Sequence, residues 1–160
     1  MNKFVLSAFA IASVAAVPAH AKSSKSMQCA IVTQADVESL FGAFNNAWAT
    51  KNPDTVAQLF TKDAVLLATV SNTPRTDHAS IRDYFVGFLK PNPVGTINSS
   101  TVKIGCNTAA RLGTWTVTVT DPSTGTKTDI KARYSFLYRI EDGVWKIDHL
   151  HSSMMPEKTG

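Results

Sequence analysis

The strongest constraint on this chain is a hairpin near its C-terminus. Glu141-Asp142-Gly143 is flanked by Lys131–Ile140 and Val144–Ser153, two segments rich in β-branched and aromatic residues. Asp-Gly between such segments is a strong hairpin signal, because Gly accepts the positive φ of a tight turn. Alternation along the second segment predicts Trp145, Ile147, His149, His151 and Ser153 on one face, with Lys146, Asp148, Leu150 and Ser152 on the other. Two histidines at i and i+2 then stand side by side, with Arg133 on the partner strand.

Preceding segments supply the rest of an α+β order. Val37, Leu40, Phe41, Phe44 and Trp48 recur at helical spacing, which predicts a first helix over about 34–50, with Thr33 as its cap and Asp36 in its first turn. Asn52-Pro53 ends it and starts a short second helix. Residues 63–70 read as a brief strand and 71–75 as a turn. A third helix follows, capped by Thr76 or Asp77, with Ile81, Tyr84, Phe85, Phe88 and Leu89 inward, and it is stopped by Pro91 and Pro93. Strands are predicted over 101–106 and 109–120. In the latter, Trp115, Val117 and Val119 face one way and Thr114, Thr116, Thr118 and Thr120 the other. The expected architecture is a cone-shaped, curved antiparallel sheet packed against three N-terminal helices, with a pocket between.

The first residues carry a different signal. Lys3, the apolar run 4–17 and Ala19-His20-Ala21 have the form of a signal peptide cleaved after Ala21. The run is too short for a membrane span, and no lipid-attachment pattern precedes Cys29. The expected product is periplasmic or secreted and independent of the membrane. It has a polar lead-in over 22–32, one domain over 33–156 and a short tail over 157–160. A formal charge of +4 with scattered basic residues gives no concentrated patch for nucleic acid. Cys29 and Cys106 form an even pair, expected as a disulfide in an oxidising compartment; the alternative is two separate buried thiols.

The order helix, short helix, strand, helix, long strands resembles the nuclear transport factor 2-like (SnoaL-like) superfamily. Within it, Asp142-Gly143-Val144-Trp145 followed by His149-Leu150-His151-Ser152-Ser153 resembles the association (hub) domain of calcium/calmodulin-dependent protein kinase II and its bacterial relatives. Arg82-Asp83-Tyr84-Phe85 and Ala132-Arg133-Tyr134-Ser135-Phe136 are similar to a helix and a strand of that family. The resemblance implies a small-molecule pocket and assembly into a homodimer or larger ring through the sheet. It does not imply kinase activity, since the chain has neither a Gly-rich nucleotide loop nor a His-Arg-Asp catalytic loop. The kinase hubs line their pocket with arginines. A gap-free alignment sets those positions near Trp115, Phe136 and Ser152, leaving Arg133 as the cation to take that role.

Candidate ligand-binding residues are therefore Arg133, Tyr84, Trp48, Trp115 and Phe136. For Trp48 and Tyr84 a plain core role competes. His149, His151 and Asp148 are candidate acid/base groups, because imidazole titrates near neutrality and an Asp in a steroid isomerase-like pocket abstracts a proton. Each has a structural alternative: packed imidazoles for the histidines, a salt bridge for Asp148. No third ligand at metal spacing accompanies the histidines, and no cofactor is expected. Three functions remain open: a self-associating small-molecule-binding cone, acidic ligands included through Arg133; an isomerase, cyclase or hydrolase using the same pocket; and a structural hub whose sheet is the functional surface, with the Trp145/Ile147 face as the candidate.

Overall fold

The computed structural model describes residues 28–156. The expected signal peptide over 1–21, the first part of the lead-in and the tail over 157–160 lie outside the described residues. Three helices, α1 (Gln34–Ala49), α2 (Pro53–Ala57) and α3 (His78–Phe88), accompany five strands: β1 (Phe60–Leu67), β2 (Val94–Gly105), β3 (Thr108–Thr120), β4 (Lys127–Glu141) and β5 (Val144–Met154).

The helix starts follow local chemistry. At α1 the Thr33 hydroxyl accepts from the Asp36 N–H while the Asp36 carboxylate accepts from the Thr33 N–H at 2.8 Å. Asn52 caps α2 ahead of Pro53, and Asp77 caps α3 reciprocally with Ser80. These bonds favour the ionised carboxylates. Thr33 holds Asp36 below its ordinary pKa, and the Ser80 N–H does the same for Asp77. A depressed folded-state pKa means stability that is present above the unfolded carboxylate pKa and lost as pH falls through the folded one. Melting temperature should therefore decline on acidification below about pH 4. A double Asp36→Asn, Asp77→Asn variant should show a shallower acid limb in the same melts, and an unchanged limb would mean that the caps do not carry the effect.

The sheet runs β1-β5-β4-β3-β2. The long strands pair antiparallel, as a meander requires, but β1 joins β5 in parallel. That edge pairing also moves β1 to Phe60–Leu67, earlier than the expected 63–70. β2 likewise begins at Val94, ahead of the expected 101. Its first half, Val94-Gly-Thr-Ile-Asn-Ser-Ser, lacks an apolar alternation, and it is made a strand by the long ladder to β3. The turn at Asp142 and Gly143 has φ of 52° and 79°, the conformation that Asp-Gly favours.

The helices cover the inner face of the sheet. Phe41, Phe44 and Trp48 of α1 meet Trp115 of β3 and Phe136 of β4 mostly edge to face, with Phe44 and Phe136 centroids 5.5 Å apart. On β4, Ala132, Tyr134, Phe136 and Tyr138 all point into this core.

One irregularity decides the site. Tyr138 pairs with Ile147, but Leu137 pairs with His149, so Asp148 sits in a bulge of β5. The extra residue flips the alternation. Ile147 is buried before the bulge, and Leu150 and Ser152 are buried after it. His149, His151 and Ser153 do share a face, as expected, but it is the outer one. Trp145 and Ile147 belong to the inner side, so the Trp145/Ile147 face is not the outward surface of the sheet.

Candidate functional site: an aromatic cleft and its vestibule

Cys29 and Cys106 are bridged, with their Cα atoms 4.8 Å apart. The Asn107 side chain reinforces the link, accepting from the Ala30 N–H at 2.7 Å and donating to the Gln28 carbonyl. The lead-in is thereby pinned to the β2–β3 turn, at the end of the cone where Arg111 lies.

Nearer the middle of the cone is a narrow cleft. Trp48, Phe44, Tyr84, Phe85, Phe88 and Trp115 supply most of its wall, with Thr69 and Ser152 as polar members. Its free volume is about 20 Å³, room for a single water. The Ser152 hydroxyl accepts from Trp115 Nε1 at 3.0 Å and from the Thr69 hydroxyl. Trp48 is 3% exposed, and its indole N–H has no hydrogen-bond partner among the described residues. An apolar vestibule of about 460 Å³ opens outside, lined by Val70, Tyr84, Phe88, Pro91, Val119 and Ile130. Burial pushes the Tyr84 hydroxyl well above its ordinary pKa, so it stays protonated.

Of the residues expected to bind a ligand, the fold brings Trp48, Tyr84 and Trp115 together in the cleft wall. Phe136 is fully buried behind them, 5.8 Å from the Trp115 ring. Arg133 is exposed on the outer face, where it and Ser135 of β4 adjoin His151 and Ser153 of β5 around a shallow depression. An acidic ligand drawn to Arg133 would bind there, outside the cleft.

The acid/base candidates are outside it too. His149 and His151 are neighbours, with ring centroids 6.5 Å apart. His149 Nδ1 lies 3.0 Å from the Val65 carbonyl, which only accepts, so this nitrogen carries the proton. Asp148 accepts from the Thr61 hydroxyl and pairs with Arg139 at 2.8 Å, so the salt bridge is the alternative it takes. Arg139 also contacts Asp63 and Glu141.

Arg111 is a buried cation that sequence reasoning missed. It is 7% exposed and faces into the cone, donating to the Ser100 hydroxyl and the Glu38 carbonyl at 2.9 Å each, with its guanidinium 5.7 Å from the Phe41 ring centroid. The signal was available: Arg111 has the parity of Trp115, Val117 and Val119 on β3.

The family model described as calcium/calmodulin dependent protein kinase II association domain matches residues 33–156. The chain belongs to this association-domain family. Among solved structures, it is similar to a protein assigned as such an association domain from Xanthomonas campestris, with 42% identity, a TM-score of 0.75, and coverage of 82% of this chain and 98% of that one. A protein assigned as an aromatic ring hydroxylase from Novosphingobium aromaticivorans is 25% identical, with a TM-score of 0.68 over 81% of this chain and 94% of that one. A nuclear transport factor 2-like protein with a cystatin-like fold, also from Novosphingobium aromaticivorans, has 12% identity and a TM-score of 0.66, covering 79% and 84% of the two chains. At that identity the likeness concerns the fold alone. Comparison with curated proteins gives no match. The α+β cone and the association-domain resemblance are thus as expected.

Proposed function

We propose that this association domain is an exported, self-associating cone that binds a small molecule and has no kinase activity. The observation that carries the reading is the division of labour across the sheet. Its inner face walls a narrow aromatic cleft, and the apolar vestibule of about 460 Å³ outside it has the size of a small-molecule site. Its outer face presents Leu137, 40% exposed, between polar neighbours that include Arg133, His149 and His151, a mixture suited to contact with a second copy. The cleft wall contains no carboxylate or imidazole, which favours binding over acid–base chemistry. Export is supported by the Ala19-His20-Ala21 pattern and the Cys29–Cys106 bridge.

Native mass spectrometry of protein purified from its own cells tests these parts together. The expected species starts at Lys22, has the mass of a dimer or larger ring, and carries a reproducible small molecule. A monomer at tens of micromolar would refute self-association. Leu137→Glu should weaken assembly at least tenfold in sedimentation equilibrium, since a charge desolvated at an interface without a partner is costly. An unchanged oligomer would move the interface off the outer face.

A further inference from the structure

We propose that the cleft takes a neutral aromatic molecule bearing a hydrogen-bond acceptor, and that Tyr84 and Phe88 form the gate that admits it. The inference rests on the small-molecule reading above and names the ligand class.

The inner cleft and the outer vestibule share two wall residues, Tyr84 and Phe88. These are four apart on α3, so they lie on one helix face, and their rings stack at 5.3 Å with 22° between planes. Closed, the pair leaves space for one water inside and about 460 Å³ outside. Swung aside, it would join the two into a volume of the size that holds a small organic ligand. Such a movement breaks ring contacts: the stack of the two rings, the edge contacts of Phe88 with Trp48 and Phe85, and that of Tyr84 with Phe85.

The chemistry of the wall sets the ligand class. Aromatic rings dominate it and favour an aromatic guest by edge and face contacts. The Trp115 N–H and the Thr69 O–H both donate to the Ser152 hydroxyl oxygen and are thereby satisfied. The Trp48 N–H is not: among the described residues it is buried with no acceptor, and an unmet buried donor is costly to leave. A carbonyl or ether oxygen would satisfy it. A carboxylate would have to shed its water against walls that hold no cation. Arg111 is engaged elsewhere by Ser100 and Glu38. Arg75 influences Tyr84 electrostatically but lines neither space.

The test uses three probes of one size: acetophenone, benzoate and ethylbenzene. Each is titrated into the full protein by calorimetry and tryptophan fluorescence. Acetophenone should bind saturably, benzoate at least tenfold more weakly, and ethylbenzene several-fold more weakly. Trp48→Phe keeps a ring but removes the donor, and should bring acetophenone down to the ethylbenzene level. Tyr84→Ala should raise the acetophenone association rate several-fold. Benzoate binding as tightly as acetophenone would overturn the neutral class, leaving the small-molecule reading intact. Absence of saturable acetophenone binding in both wild type and Tyr84→Ala would overturn the inference. The broader reading falls with it only if protein from its own cells also carries no small molecule.

Discussion

Reduction of the Cys29–Cys106 bridge is expected to cost this protein about 4 kcal/mol. The two residues are 77 apart in sequence. Closing a loop of that length removes substantial entropy from the unfolded chain, which is where the chain-entropy model places the effect. For a protein of this size the loss corresponds to roughly a 10 °C fall in melting temperature. Thermal melts with and without a phosphine reductant, together with a Cys29→Ser, Cys106→Ser variant, provide the check. The variant and the reduced protein should coincide. An unchanged melting temperature would show that the bridge contributes nothing to the folded domain. The local consequence is specific as well. Without the bridge, the lead-in is held by the two Asn107 contacts to Ala30 and Gln28, so amide exchange should quicken first at residues 28–32.

Gly113→Ala is expected to cost about 3 kcal/mol or more, a large penalty for adding one methyl group. A Cβ at this position would sit 2.0 Å from the Ser99 carbonyl oxygen and 2.7 Å from its carbon. These are backbone atoms, so no rotamer change relieves the clash. The approach is close because β2 shifts register between Ile97 and Ser99, bringing its chain over Gly113. The Tyr134 hydroxyl donates to the same Ser99 carbonyl at 3.0 Å, so displacing Ser99 also breaks a bond from the inner face of β4. Gly42→Ala is the control. It lies inside α1 with nothing within 4 Å of an added Cβ, and should raise stability by about 0.5–1 kcal/mol. Urea unfolding of both variants reads the difference. Equal small effects would mean that β2 yields at Ser99 without cost.

These sites show which parts of the molecule local sequence could announce. Thr33 with Asp36, Asn52 with Pro53, and Asp77 all act on backbone groups a few residues away, so the helix starts were legible. The Asp142-Gly143 turn was legible for the same reason. The pairing of β1 beside β5 was not, because parallel neighbours join distant segments such as Leu66 and Leu150. The bulge at Asp148 is a property of two strands. Strict alternation correctly grouped His149, His151 and Ser153, but it carried Trp145 and Ile147 onto the same side, where the bulge does not leave them.

The arginines make the same point in the candidate site. Arg133 interrupts an aromatic strand and so stands out as the cation of the cone, yet its position opposite Ser153 turns it outward. Arg111 does not stand out and lies inside. Its burial is offset by Ser100 on the neighbouring strand and by the Glu38 carbonyl, 73 residues away. Trp48, Tyr84 and Trp115 are legible as candidates in the sequence, but their convergence needed α1, α3 and β3 to pack together.

By itself, the sequence determined the identity and order of the elements, the association-domain kinship and the cysteine pair. Caps, turns and hydrophobic periods act over a few residues and survive without knowledge of partners. Only the tertiary structure decided which side of the sheet each functional candidate occupies, and how nearly full the cone is. Facing depends on strand register, where a single bulged residue reverses everything after it. Cavity volume depends on how aromatic rings from separate elements interlock.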